Sequence, residues 1–296
     1  MRTLLLIDNG SRRADSTRNL RRLAAALGER IGESVHPVSL LHSDRIPAAE
    51  LDGRAAETLA PALRRLLGEG QRELQFIPLF FGRSRALTEF VPETAAAVAR
   101  ECGAFQFQIA PELCPLPNGE PRLVDIVVDH VLQTAAQLRH SAQRVVVVDH
   151  GSPLPAVTAV RDWLSARLGE RLGATMQVTQ AVMERRAEAA YDFNGALLEE
   201  VLRGLAATDR ATPVILAMLF IAAGRHAGAA GDIAAIIARV RADYPGFDVH
   251  PTPLVGSHPA LVEILQARVN GQVIACNNLY ISTKVYTYGK ETSKNR

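Results

Sequence analysis

The sequence predicts an α/β protein of two tandem repeated domains, each a parallel sheet of about four strands flanked by helices. Three observations carry that prediction. Short β-branched or leucine-rich runs alternate with longer alanine-, leucine- and arginine-rich segments at helical spacing, the pattern of strands joined by crossover helices. The stretch Leu4-Leu5-Leu6-Ile7-Asp8-Asn9-Gly10-Ser11 returns as Val145-Val146-Val147-Val148-Asp149-His150-Gly151-Ser152, and the stretch Pro78 to Ala86 returns as Met218 to His226. A length of 296 residues suits two domains, each of roughly 100–150 residues.

Taken in order, the first half has strands expected at Thr3–Ile7, Val35–Leu40, Leu74–Phe80 and Phe105–Ile109. Helices are expected between them at Ser16–Leu27, Ala55–Leu67 and Thr88–Arg100. Pro115 and Pro117 break regular structure, and Leu123–Leu138 reads as a helix bridging the halves. The second half has strands at Arg144–Val148, Gln177–Val182, Pro213–Phe220 and Phe247–Pro251. Its helices are Ala156–Leu172, Phe193–Leu205, Ala229–Ala242 and Pro259–Val269. The division is therefore 1–140 and 141–269, with a tail at 270–296 whose Asn, Tyr, Thr and Lys replace the earlier Ala, Arg and Leu. That tail is expected to pack poorly.

Composition excludes several classes. Every lysine (Lys284, Lys290, Lys294) lies in the tail, and through Val269 there are 29 arginines against 30 Asp and Glu. The formal charge of +2 is thus a property of the tail, and the folded part lacks the basic excess of a nucleic-acid binder. No apolar run reaches the roughly 20 residues that span a bilayer, and no secretory cleavage pattern opens the chain, so a cytoplasmic protein with no membrane partner is expected. Cys102, Cys114 and Cys276 are too scattered for a cluster, a structural zinc or a disulfide framework. No glycine-rich phosphate loop is present, so no nucleotide is implied.

What distinguishes the halves is histidine. Overlaid without gaps, Asn9 falls on His150 and Ala86 on His226. Loops leaving the carboxyl ends of parallel strands gather along one edge, where sites form. His150 follows the first strand of its half, Glu184 the second and His226 the third. With strand order 2-1-3-4 those strands are neighbours, about 4.8 Å apart, so three side chains distant in sequence converge. Two imidazoles and a carboxylate suit a borderline divalent cation such as Co²⁺, Fe²⁺ or Ni²⁺. The first half folds without the histidines, so packing does not require them. The bland reading, in which His150 occupies a His-Gly turn and His226 a glycine-rich loop, remains open on these residues alone. His42, in the first-half loop that matches Glu184, and His258, near a helix start, rank lower.

A strand ending in His150-Gly151-Ser152, then Leu219-Phe220-Ile221-Ala222-Ala223-Gly224-Arg225-His226 closing at Asp232-Ile233, resembles the class II tetrapyrrole chelatases. Within that class the chain is most similar to the sirohydrochlorin cobaltochelatase family in its long form of two fused halves. The resemblance covers about residues 1–269. It implies insertion of Co²⁺ or Fe²⁺ into sirohydrochlorin, for cobalamin or sirohaem synthesis, with the metal a substrate. It also implies that His150 and His226 bind the metal and help remove pyrrole protons, with Glu184 at the family's acidic position. The gap from His226 to Asp232 is longer than the family usually shows, and the first half lacks the histidine pair. The alternative is a non-catalytic metal- or tetrapyrrole-binding protein on the same scaffold.

Sirohydrochlorin is ringed with carboxylates, which the planar fork of arginine suits. Arg12 and Arg13 follow the first-copy Gly-Ser, Arg83 and Arg85 lie in the first-copy loop, and Arg225 precedes His226. Those five are the expected substrate contacts. Two fused halves imitate a dimer within one chain, so a monomer is expected.

Overall fold

The computed structural model describes residues 2–138, 144–271 and 285–288. Its first sheet is built from β1 (Thr3–Asp8), β2 (Val35–Ser39), β3 (Glu73–Pro78) and β4 (Phe105–Ile109), the second from β5 (Arg144–Asp149), β6 (Gln177–Val182), β7 (Val214–Met218) and β8 (Val249–Pro251). The helices are α1 (Ala14–Ile31), α2 (Leu59–Gly68), α3 (Val91–Cys102), α4 (Pro121–Ala135), α5 (Pro155–Leu172), α6 (Leu198–Thr208), α7 (Asp232–Asp243) and α8 (Ala260–Val269). Strand orders are β2-β1-β3-β4 and β6-β5-β7-β8, all parallel within these sets, as the 2-1-3-4 reading expects. Among the described residues no helix is long and apolar enough to cross a membrane.

The patterning explains the layers. Leu4 to Ile7 and Val145 to Val148 are buried on both faces, as central parallel strands covered by helices must be. Helix α1 turns Leu20, Leu23, Ala24 and Leu27 inward at helical spacing and leaves its arginines outside. The first core gathers Leu5, Ile7, Phe76 and Phe107, the two phenyl rings 5.2 Å apart. The second gathers Val146, Val148, Leu216, Ile236 and Val240.

Several helix starts differ from expectation. Helix α2 begins at Leu59 rather than Ala55, because the Glu57 carbonyl accepts from the Ser39 amide and holds that segment extended beside β2. Helix α6 begins at Leu198 rather than Phe193, since 189–194 forms a 3₁₀ turn that directs Asn194 into the interior. A π turn at Ala86–Phe90 opens α3.

The chain divides into two compact units, one of Met1–Asn118 with Val262–Arg296, the other of Gly119–Leu261. These units cut the chain elsewhere than the sequence division at residue 140; the expected boundary at 140–143 lies outside the described residues. Helix α4, read as a bridge, packs on α5 and β7 of the second unit. Helix α8, encoded in the second repeat, completes the first unit. Its Arg268 is fully buried and donates to the Glu112 carbonyl at 2.9 Å and the Leu113 carbonyl at 3.0 Å. Gln75, on β3, donates to the Val269 carbonyl at 3.1 Å. Each repeat thus lends its last helix to the other unit.

The tail corrects one expectation. Val285–Tyr288 forms a strand, β9, antiparallel to β4 at the edge of the first sheet. The sequence reading missed it because a four-residue edge strand has no periodicity to show. The rest of the tail beyond Gly271 lies outside the described residues.

Replacing Arg268 with Met keeps the apolar stem and removes the donors from two carbonyls. That loss should cost on the order of 3 kcal/mol, read as a lower urea midpoint, whereas an unchanged midpoint would deny α8 its anchoring role.

Candidate functional site

Three loops rise from the carboxyl ends of β6, β5 and β7, and the strand order makes them neighbours. The β5 loop is forced close to the β6 loop by backbone bonds: the Met183 amide donates to the Asp149 carbonyl at 2.9 Å and the Glu184 amide to the His150 carbonyl at 3.2 Å. Gly151 permits that approach. Its φ is +97°, and a Cβ there would lie 2.1 Å from the Glu184 carbonyl oxygen, closer than any side chain allows. Gly10 stands in the same relation to Leu41 in the first unit.

Above these loops the rings of His150 and His226 stand 4.5 Å apart between centroids, edge to face. His150 is half exposed and His226 a quarter exposed, so both imidazoles face a solvent-accessible mouth. Nδ1 of His226 lies 2.6 Å from the Asp232 carboxylate, which accepts, leaving Nε2 as the lone-pair nitrogen. Nδ1 of His150 lies 3.0 Å from the Gly151 carbonyl, which can only accept. His150 Nε2 lies 3.1 Å from the Glu184 carboxylate, so the ring is set between two acceptors.

Asp232 reaches His226 because the segment between them folds back on itself: the Asp232 and Ile233 amides donate to the carbonyls of Arg225 and His226. The longer gap seen in the sequence is therefore a closed loop. Arg225 Nε lies 3.5 Å from the same Asp232 carboxylate, and the side chain is largely exposed. Of the five arginines expected to meet substrate, only Arg225 stands beside the histidines within the second unit. Arg12 and Arg13 lie at the start of α1, and Arg83 and Arg85 in the loop after β3. All four are exposed at the carboxyl edge of the first sheet, with Arg85 3.7 Å from Glu89. Among the described residues no three His, Cys, Asp or Glu side chains form a metal cage. The two imidazoles stand side by side at this open edge.

Beneath the mouth lies a support that motif reading did not identify. Asp149 and Arg161 are both buried and joined at 2.7 Å. Arg161 also donates to Gln180 at 3.0 Å, to the Ala181 carbonyl at 3.2 Å and to the Asn194 carbonyl. The Asn194 side chain accepts from the Ser152 amide at 3.0 Å and from Thr158 at 3.1 Å, and donates to the Ser152 carbonyl at 2.9 Å. The His150-Gly151-Ser152 turn is thus held from below on a satisfied polar network. The one legible signal was an arginine at position 161 on the inward face of its helix, among Val160, Leu164 and Leu168.

The CbiX family model matches residues 3–134 and again 144–272. Among solved structures the chain is similar to SirB from Bacillus subtilis with Fe³⁺, at 15% identity and a TM-score of 0.66, covering 91% of this chain and 95% of that one. It is similar to the sirohydrochlorin chelatase SirB from Bacillus subtilis subspecies spizizenii in complex with cobalt, at 17% identity and a TM-score of 0.57, covering 91% and 94%. It is also similar to a CbiX described as the terminal enzyme for biosynthesis of sirohaem in denitrifying bacteria, at 17% identity and 0.58, covering 92% and 100%. At such identities the likeness establishes the fold alone. No curated protein matches the chain.

Two matched repeats permit a residue-by-residue comparison. Asp8 occupies in the first repeat the place of Asp149, twelve residues before Leu20 where the second repeat has Arg161. Burial lifts the Asp149 carboxyl, and the charge and hydrogen bond of Arg161 pull it back. Asp8 has no such cation. Its Oδ1 is buried without a partner, and burial raises its pKa to about 6 against a lowering contact from Ser39.

The folded state therefore binds this proton more tightly than the unfolded chain. Stability from Asp8 is greatest below pH ~4 and falls as pH rises through ~6. Asp8→Asn should remove the fall, worth at most about 2–3 kcal/mol at pH 7. Melting curves of the two proteins should converge near pH ~4 and separate by pH ~7; parallel curves would refute the raised pKa of Asp8.

Proposed function

The chain belongs to the CbiX family, and from that membership we propose that it inserts a divalent metal, Co²⁺ or Fe²⁺, into sirohydrochlorin. The observation that carries the reading is the approach of His150 and His226, each with a carboxylate partner, at the exposed edge of the second sheet.

Insertion exchanges one M²⁺ for two pyrrole N–H protons, so charge balances when two protons leave with the metal's arrival. Two tasks follow. The ion must be held weakly enough to be passed on, which a two-imidazole site with open coordination positions does and a closed four-ligand site does not. The protons must find bases. His226 with Asp232 and His150 with Glu184 supply two imidazole–carboxylate pairs, each able to take a proton once the metal has moved into the ring. Asp232 orients the His226 ring and makes its Nε2 a better donor to metal, as carboxylates beside ligating histidines do.

Arg225, at the rim beside His226, is assigned to a substrate carboxylate. Arg12, Arg13, Arg83 and Arg85, exposed on the first unit, are assigned to substrate carboxylates as well. Cobalt and iron both accept imidazole nitrogen, and cellular availability decides much of the choice. SirB structures hold Fe³⁺ in one case and cobalt in the other.

The test follows metal incorporation by the change in the macrocycle's visible absorbance under reducing, anaerobic conditions. His150→Ala and His226→Ala should each lower the rate by about 10²-fold or more, with far-UV circular dichroism unchanged. Asp232→Asn, which keeps the hydrogen bond but lacks the charge, should cost about 10–100-fold. Wild-type rates in the double histidine variant would end the assignment. Tight binding of sirohydrochlorin or Co²⁺ by the wild-type protein without turnover would favour the carrier alternative.

A further inference from the structure

Asn194 reaches the His150 turn from a different loop, at the end of the 3₁₀ turn Ala189–Asn194. It is buried, and its amide uses all of its hydrogen-bonding positions. Oδ1 accepts from the Ser152 amide at 3.0 Å and from the Thr158 hydroxyl at 3.1 Å. Nδ2 donates to the Ser152 carbonyl at 2.9 Å and to the Tyr191 carbonyl at 3.1 Å. Both polar groups of the Ser152 backbone are thus held by one side chain. The segment leading from β6 to Asn194 passes through Glu184, so this amide ties together the carriers of Glu184 and His150. Buried Arg161 fixes Asn194 in turn by donating to its carbonyl.

The first unit shows what the tie is for. Backbone bonds set the two repeats in register. The Ser39 amide donates to the Glu57 carbonyl as the Val182 amide does to the Ala196 carbonyl, and Ser39 bridges Thr58 as Val182 bridges Leu197. Ala55 therefore stands where Asn194 does. The same edge forms without the amide: Gly10 has a φ of +81°, and the Leu41 amide donates to the Asn9 carbonyl at 3.2 Å, as Glu184 does to His150. The Ser11 hydroxyl accepts from the Arg13 amide at 3.1 Å, as Ser152 accepts from Leu154 at 3.0 Å. Sheet, glycine and turn all survive an alanine at this place. What goes with the amide is the set above it, since Asn9, Leu41 and Ala86 stand for His150, Glu184 and His226. The fold dispenses with Asn194; the imidazole pair keeps it.

We propose that Asn194 is a positioning residue for the metal: by gripping Ser152 it keeps the His150 ring facing His226, and so strengthens binding of an ion it never touches. His150 is half exposed, so its ring has little packing to hold it and depends on its backbone turn. Ligands already in place bind more tightly because no ordering cost falls on the binding step. The proposal rests on the reading of His150 and His226 as the ligands of the metal.

Isothermal titration of the full chain with Co²⁺ separates this role from a structural one. Asn194→Ala should still bind one Co²⁺ per chain, with affinity weaker by about tenfold or more. Fewer sites at unchanged affinity would mean lost fold alone and would overturn the proposal. Thr158→Val keeps the side-chain shape and removes only the hydroxyl that orients the amide. It should weaken binding by about fivefold, and should add nothing in the Asn194→Ala background. Wild-type affinity in both single variants, with Co²⁺ binding lost from the double histidine-to-alanine protein, would overturn the positioning role alone. Wild-type affinity in that histidine variant would overturn the reading beneath it as well.

Discussion

A carboxylate buried at the carboxyl end of the first strand in each repeat is the constraint around which the rest is arranged. In the second unit Arg161 meets Asp149 at 2.7 Å, and the same guanidinium reaches the β6 backbone and the Asn194 carbonyl. A buried pair of this kind gains little by itself, because desolvation offsets most of the attraction. What it does is fix three loops to one another. The turn that carries His150, the strand that leads to Glu184 and the 3₁₀ segment that precedes α6 all share it. Where Leu20 stands in place of the arginine, the acid has no cation, only Ser39 and backbone contacts, and the histidines are absent too.

The two units therefore show one scaffold put to unequal use. Both keep the parallel sheet, the glycine at the strand end and the close contact between neighbouring loops. Only one keeps the polar floor and the imidazole pair above it. The repeats interleave along the chain: α4 packs on α5 and β7, and α8 is tied by hydrogen bonds to Gln75, Glu112 and Leu113.

Much of this was legible in the chain. The eight parallel strands followed from periodicity, as runs such as Val145 to Val148 suit a doubly covered sheet, and the strand order from the common 2-1-3-4 arrangement of such sheets. The histidines and Glu184 were legible because they sit at strand ends, where topology alone brings side chains together. Asp232 was harder, since a loop closing through backbone bonds leaves no mark in side-chain pattern. The exchange of α4 and α8 was invisible for a related reason: an amphipathic helix specifies that it covers an apolar face, but not which of two similar faces. Arg161 and Asn194 were missed because a buried polar residue in a helix or turn reads as surface until its partners are placed. Edge strand β9 was missed for want of length.

The central claim is that two imidazoles, each beside a carboxylate, take hold of one metal ion. X-ray absorption on the Co²⁺-loaded chain tests this directly. The account predicts one Co²⁺ per chain with imidazole scattering from two rings at about 2.1 Å, the outer-shell features vanishing when His150 and His226 are both replaced by alanine. A bound Co²⁺ whose spectrum is the same in the doubly substituted protein would contradict it.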